Sequence, residues 1–445
     1  MKKLVLLAIA LMLSLCTMLT ACGGAPQGDP QSPDTVVIWW PQGFIYSKNA
    51  LSDALERYKT EVDPELSYNI MDMPAADYFD TLKTTLLGKN AKSMPDIVKI
   101  DHVYVQQLAY SNNLVDLTDS LDEDTESLFI ENAWGANKSG EGIYALPFDA
   151  NTSVLFYNQV LFDRAGISKA PENYEEFLDA CAKLKTLAES DKSVRVFEFP
   201  VFKNYESSWS SFNVLSWFYR NGASLLSEDL QSGDAESAAC KDTLKKIQDL
   251  WKAGYFDATT YSEAEAYNGN SGMLEMGIWN ISKLDIKDAK LDLRAAPVFS
   301  IDPNVEAAST LGLYSIGVVN RAQYATGEEA EKLTLTQEKA ADVAEYLATN
   351  VEFQMAYCKD FSVLPTLKAG LEDPYWDENP NCSYFLTAIT KAVPRPTTPA
   401  WEQIESNLKS AFNMLFDSTS LARDIDYIAS TLNKNINENL DYYHQ

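Results

Sequence analysis

Apolar residues along the first hundred positions follow two spacings in turn. Runs rich in apolar, β-branched and aromatic residues at 35–40, 66–71 and 95–100 predict buried strands. Between them, apolar residues recur every three or four positions over 49–62 and 77–87, which predicts two helices that each bury one face. This order of strands and helices predicts an α/β fold with a parallel sheet.

Polar and aromatic residues follow the first and third of these strands. Open parallel sheets bind ligands beyond the carboxyl ends of their strands. Strand alternation places Trp39 on the opposite face from Trp40, so we interpret Trp39 as a core residue. The candidate ligand contacts at these two strand ends are Trp40, Gln42, Asp101, His102 and Tyr104.

The stretch 142–177 predicts a passage between two sheets. A strand signal is interrupted by a polar kink at 149–152, and an apolar, β-prone run resumes at 153–157. A strand that leaves one sheet and enters a second has this pattern. The kink supplies Asp149 and Asn151 as further candidate contacts.

The same stretch carries a set of short motifs. It contains G-x-Y-x-x-P, a strand ending in Tyr-Asn, an Ala-Gly pair and P-x-x-Y-x-E-F. Together they resemble the first hinge of the extracellular solute-binding proteins of ABC importers, in particular the sugar-binding, maltose-binding-protein-like family 1. Similarity to that family extends over nearly the whole chain after residue 34, including 267–279 and 392–401.

The resemblance implies a two-lobed periplasmic-binding-protein-like fold (type II). Each lobe is then a three-layer α/β sandwich, and the two are joined by a multi-strand hinge that the chain crosses near 149–153, 292–297 and 348–352. The expected boundaries are 35–149 plus 297–348 for lobe 1, and 150–296 plus 349–445 for lobe 2.

Family position adds candidates from the part of the chain after residue 200. Sugar rings rest their C–H faces on aromatic rings, and their hydroxyls need planar polar partners. A helix over 209–218 is rich in aromatic residues, although the sequence does not say which of its faces meets the cleft. The residues that the resemblance adds as ligand contacts are Trp209, Trp279, Tyr314, Arg395 and Trp401.

The N-terminus has the pattern of a bacterial lipoprotein signal. Lys2 and Lys3 precede an apolar segment too short for a comfortable membrane span, and Leu-Thr-Ala-Cys resembles the lipobox. We expect a signal peptide at 1–21, a lipidated Cys22 and a flexible tether over 22–34. The mature protein is then extracytoplasmic and anchored to the cell membrane; an ordinary secretory signal is the alternative.

Charge and cysteine content reduce the number of possible ligands and cofactors. The formal net charge of −28 disfavours binding to nucleic acid and suits a neutral or cationic ligand. Cys181, Cys240, Cys358 and Cys382 follow the lipobox without metal-ligand spacing, and their disulfide state stays open. We expect no metal and no cofactor.

These observations predict a monomeric, non-enzymatic protein that captures a di- or oligosaccharide in an interlobe cleft. By resemblance, its partners are the permease subunits of an ABC transporter and their ATPase. No catalytic motif for a Ser, Zn or nucleotide enzyme is present. Two alternatives remain: a binding protein for a non-sugar solute on the same fold, and a glycoside hydrolase, which needs only two suitably spaced carboxylates.

Overall fold

The computed structural model describes residues 35–42, 45–74, 77–202, 207–417 and 424–443. The predicted signal peptide 1–21, the lipidation site Cys22 and the tether 22–34 lie outside them, as do the side chains of Gln42 and Trp209. Across these described ranges, none of the helices has the length and apolarity needed to cross a membrane.

The strands form two main sheets and one short hairpin. In chain order they are β1 (Thr35–Gln42), β2 (Ser67–Pro74), β3 (Ile97–Asp101), β4 (Lys138–Ser139), β5 (Gly142–Ile143), β6 (Leu146–Asn151), β7 (Ser153–Asn158), β8 (Arg195–Glu198), β9 (Ser271–Gly277), β10 (Leu293–Ala296), β11 (Thr310–Val318), β12 (Leu364–Pro365) and β13 (Val393–Pro394).

The α-helices cover both sheets. They are α1 (Ile45–Glu61), α2 (Tyr78–Leu87), α3 (Val105–Tyr110), α4 (Thr125–Leu128), α5 (Glu131–Gly135), α6 (Gln159–Ala165), α7 (Tyr174–Ser190), α8 (Ser207–Tyr219), α9 (Ala238–Lys252), α10 (Glu263–Tyr267), α11 (Glu328–Thr349), α12 (Val351–Phe361), α13 (Lys368–Leu371), α14 (Cys382–Ile389), α15 (Trp401–Leu415) and α16 (Ile425–Tyr443). Short 3₁₀ helices include His102–Tyr104 and Ile278–Asp285.

The first lobe is built on a seven-stranded sheet. Its strand order is β12-β6-β11-β3-β1-β2, and β13 pairs with β11. The strands β1, β2 and β3 are parallel, as the sequence predicts, whereas β11 runs antiparallel to β3 and β6. Helices cover both faces of β1, because Val36 and Ile38 belong to one apolar core and Val37 belongs to another.

The second lobe is built on a four-stranded sheet with the order β10-β7-β9-β8. All six residues of β7 are buried because alternate side chains face two different cores. Val154 and Phe156 join the core shared with the first lobe, and Leu155 and Tyr157 join the core beneath α7, α8, α9, α15 and α16. A strand buried on both faces explains the continuous apolar run in the sequence.

The predicted passage between sheets at 149–153 is confirmed. β6 pairs in the first sheet and β7 in the second, with only Thr152 between them. The return segment lies alongside: the Thr152 hydroxyl donates to the carbonyl of Thr310 at 3.1 Å, and the Ser309 hydroxyl donates to the carbonyl of Ser153 at 2.6 Å. These two segments form the hinge.

The expected lobe boundary at 349 differs from the sheet membership. The chain does not cross near 348–352, because α12 packs against α1 and the following β12 pairs with β6 of the first sheet. The second crossing also falls later than 292–297, since β10 still pairs with β7. Only two residues form β12, so no apolar period marked it in the sequence.

Candidate functional site

A cavity of about 250 Å³ opens between the two lobes. The first sheet contributes Asp101, Gly312, Leu313 and Tyr314, and the second lobe contributes Phe212 and Trp279. The hinge strand supplies Asn151, and the segment after β13 supplies Arg395. Three aromatic rings and three polar side chains therefore face one space, and both lobes and the hinge contribute to it.

Strand register sets the first-lobe wall of this cavity. Tyr314 on β11 pairs with Asp101 of β3 on one side and with Asp149 of β6 on the other. Two residues away, Gly312 pairs with Asn151. Side chains that are two residues apart point to the same face of a sheet. The register thus brings residues from three distant parts of the sequence into one row.

Asp101 and Arg395 form the charged centre of the site. Nη2 of Arg395 donates to both carboxylate oxygens of Asp101, at 2.6 and 2.7 Å. Burial by itself raises the pKa of Asp101, but Arg395 and His102 outweigh it and hold the pKa below its ordinary value. The pair therefore stays ionised at neutral pH, and its two charges compensate each other.

His102 supports this pair from beneath. Its side chain is fully buried, and Nδ1 lies 3.1 Å from Oδ1 of Asp101. Burial is the main cause that lowers the pKa of His102, with a further contribution from Arg395. A neutral imidazole can donate from Nδ1 to the carboxylate, so His102 orients Asp101 and does not line the cavity.

Trp279 forms the second-lobe wall. It lies in the 3₁₀ helix that follows β9, and its ring centroid is 6.4 Å from that of Phe212 on α8. The indole folds back directly over Gly277, where a Cβ atom would overlap the ring. Gly277 therefore leaves the room that lets Trp279 face the first lobe.

Asn151 provides the uncharged polar group of the site. It is the last residue of β6, so it lies where the chain leaves the first sheet. Its Oδ1 is buried and has no hydrogen-bond partner among the described residues. A buried unpaired acceptor is costly unless a ligand or water bonds it, which makes Asn151 a ready acceptor for a donor in the cavity.

Five of the predicted contacts come together here. They are Asp101, Asn151, Trp279, Tyr314 and Arg395.

The structure places Trp40 and Trp401 elsewhere. Trp40 is 2% exposed and packs edge-on against Phe148 in the first-lobe core. Trp401 is also 2% exposed and lies in the second-lobe core at the start of α15. Neither lines the cavity. Because both faces of β1 are covered, alternation does not bring Trp40 to a ligand even though Trp39 points the other way.

Asp149 and Tyr104 also lie off the cavity. Asp149 is 2% exposed and pairs with the buried Lys99 at 2.6 Å. Tyr104 stacks on Phe79, with ring centroids 3.3 Å apart. No structural statement applies to Gln42 and Trp209, whose side chains lie outside the described part of the chain.

Sequence reasoning missed Phe212, Gly312 and Leu313 as lining residues. Phe212 lies on a helix buried nearly all round, so apolar periodicity did not reveal which face meets the cleft. Gly312 and Leu313 precede Tyr314 on β11, and only the register with β6 shows that they reach the site.

The lobes touch at the rim of the cleft. Lys83 on α2 pairs with Glu402 on α15 at 2.9 Å. The ring of Tyr110, at the end of α3, meets that of Tyr443, at the end of α16, with centroids 5.0 Å apart. Both contacts join one lobe to the other, so the molecule is in a closed arrangement.

Two lobes, a hinge of adjacent strands and an interlobe cavity together define a protein that encloses a small solute. In agreement, the sequence profile of the bacterial extracellular solute-binding proteins matches residues 53–383. The chain belongs to that family, whose members act outside the cytoplasm and bind solutes.

Individual relatives are distant. An erythritol/L-threitol-binding protein of Mycolicibacterium smegmatis is 25% identical over 222 residues, which is 45% of each chain. An arabinooligosaccharide-binding protein of Bacillus subtilis is 22% identical over 52% of each chain. The chain thus matches about half the length of these curated relatives.

Solved structures show the same fold. A cyclic α-maltosyl-1,6-maltose binding protein from Arthrobacter globiformis superposes with a TM-score of 0.74 at 17% identity. The superposition covers 92% of this chain and 100% of that one. This likeness confirms the predicted two-lobed architecture over nearly the whole molecule.

Proposed function

We propose that this protein binds a carbohydrate in the interlobe cavity. The observation that carries the proposal is the lining itself. Trp279, Phe212 and Tyr314 offer aromatic surface to the C–H faces of a sugar, and Asn151 offers an unpaired acceptor to a hydroxyl. The relatives named above, which bind a polyol, an arabino-oligosaccharide and a cyclic glucan, support the same class of ligand.

The ligand is proposed to be uncharged and short. Arg395 and Asp101 compensate each other, so the described lining residues offer no free charge to pair with a phosphate or uronate. The volume of about 250 Å³ lies just below the range of roughly 300–1,000 Å³ typical of pockets for drug-sized ligands. A disaccharide or another short saccharide suits this space better than a long chain.

We further propose that the protein delivers its ligand to an ABC importer and is tethered by a lipid on Cys22. The motif Leu-Thr-Ala-Cys supports the anchor, and family membership supports the partner. Radiolabelled palmitate incorporation into the unmodified chain, with Cys22→Ala as the control, tests the anchor. Incorporation that persists in the Cys22→Ala variant would contradict it.

Thermal unfolding of residues 23–445 tests the ligand class. The probes are erythritol, lactose, maltose, maltotriose and arabinotriose, with glucuronate, glycerol 3-phosphate, spermidine and a dipeptide as charged or non-sugar comparisons. Ligand at 100 times its Kd adds about 2.7 kcal/mol to the free energy of unfolding, which raises the Tm by a few degrees.

The proposal expects a shift with a neutral carbohydrate and none with the charged probes. A shift only with spermidine or the dipeptide would retain a solute-binding role and reject the sugar. Consumption of the carbohydrate, followed by chromatography, would instead support a glycoside hydrolase.

A further inference from the structure

A buried ionic network lies directly behind the first-lobe wall of the cavity. Nζ of Lys99 is 2.6 Å from Oδ2 of Asp149 and donates a hydrogen bond to the hydroxyl of Tyr357 at 2.5 Å. The Lys99 side chain is 1% exposed and that of Asp149 is 3% exposed. None of the three residues lines the cavity, so none is positioned to touch a ligand.

The network reaches the cavity through Tyr314. Nζ of Lys99 lies over the ring of Tyr314, 4.6 Å from its centroid, and Tyr314 is the lining residue between Asp101 and Asp149 in the strand register. Tyr314 is 37% exposed and lines the cavity, so the same side chain meets both Lys99 and the ligand space. A cation attracts the face of an aromatic ring and thereby favours one ring orientation.

Stability alone does not account for this arrangement. Removing two charges from water costs more than most buried ion pairs return, and apolar residues of similar volume often stabilise a protein equally well or better. The rings of Trp40 and Phe148, each with its centroid 5.6 Å from Nζ, show that an apolar core could fill the same place. A role in binding explains why charges lie here.

We propose that Lys99, fixed by Asp149 and Tyr357, is a positioning residue that sets the ring of Tyr314 at the angle a sugar requires. This inference rests on the proposed carbohydrate function and adds to it the group that orients one of the ligand-contacting rings. It also gives Asp149 a role that does not involve contact with the ligand.

The test replaces the network by apolar residues of similar size, Lys99→Met with Asp149→Leu and Tyr357→Phe. The matched control is Arg220→Met with Glu275→Leu, which removes a buried ion pair of the same 2.6 Å length in the second lobe, and neither residue of this pair lines the cavity. Calorimetry measures the affinity of both variants for whichever of maltose, maltotriose, lactose, arabinotriose and erythritol binds the unmodified protein most tightly.

We expect the triple variant to bind about tenfold more weakly while remaining folded, and the control to bind as the unmodified protein does. In a Tyr314→Leu background the triple replacement should cause no further loss, because its effect passes through that ring. An unchanged affinity in the triple variant, or an equal loss in the Tyr314→Leu background, would overturn the proposal.

Two further experiments cover the cases in which the triple variant does not fold or no carbohydrate binds. If the triple variant fails to fold, Tyr357→Phe alone should weaken binding a few fold, and unchanged binding would reject the network. If no carbohydrate binds the unmodified protein, the proposed function fails instead. The network is then tested without ligand by the ¹⁹F resonance of a fluorotyrosine at position 314, which should move in the triple variant and not in the control; an unmoved resonance would reject the inference.

Discussion

At the scale of single residues, two predicted contacts now have different roles. Trp279 faces the cavity, whereas Trp401 is buried in the second-lobe core. We expect Trp279→Ala to weaken carbohydrate binding by up to about tenfold, since an aromatic contact contributes roughly 0.5–1.5 kcal/mol. Trp401→Ala should instead lower the free energy of unfolding by about 3–5 kcal/mol. Calorimetry and urea unfolding of both variants check this; a weaker affinity for folded Trp401→Ala would contradict it.

His102 makes a second prediction at this scale. Burial and Arg395 lower its folded-state pKa below the ordinary 6.5, although Asp101 acts to raise it. Below pH 6.5 the unfolded chain therefore binds a proton that the folded protein does not, and stability falls as pH falls, by up to about 1.4 kcal/mol per pH unit. His102→Asn should reduce this slope between about pH 7 and pH 5.5, measured by urea unfolding. An equal slope in both proteins would contradict the prediction.

At the scale of elements, the turn between β9 and the 3₁₀ helix Ile278–Asp285 controls one cavity wall. Gly277 has φ −84°, which alanine adopts freely, so Gly277→Ala acts through contact with the indole of Trp279 and not through the backbone. We expect it to displace the ring and weaken binding about as much as Trp279→Ala does. Introduced into Trp279→Ala, it should have little further effect on calorimetric affinity. Additive losses would show that Gly277 acts on another group.

The elements also show how far sequence reasoning carries. The first three strands and the crossing at 149–153 were predictable because β-prone runs and a polar kink are local signals. The sequence did not predict that α12 belongs to the first lobe, because the pattern of an amphipathic helix does not indicate which sheet it covers. The site residues likewise include some that the sequence predicted and some that it did not. Asp101 was found because it lies at a strand end, whereas Phe212 reaches the cavity only through the packing of its helix and Gly312 only through strand pairing.

At the scale of the whole molecule, closure brings Lys83 and Glu402 together across the cleft. The pair is partly exposed, so its contribution is at most about 1 kcal/mol and is screened by salt. Lys83→Glu should favour the open form and weaken binding by up to about fivefold at low salt. The exchanged variant Lys83→Glu with Glu402→Lys should restore both affinity and the compact radius of gyration in solution scattering. Failure of the exchange to restore binding would show that the contact is not a closing one.

The four cysteines of the described chain, whose disulfide state the sequence left open, are free and buried. Burial raises the pKa of Cys240 and Cys382 to about 11 and that of Cys181 and Cys358 well above its ordinary value. A thiol in that state reacts slowly with maleimides. A version that begins after Cys22 can therefore take one engineered cysteine, for instance at the exposed Leu87 one helical turn from Lys83, and carry a single dye at the cleft rim. Lobe closure would change the dye's surroundings, and the protein would become an optical sensor for its own ligand.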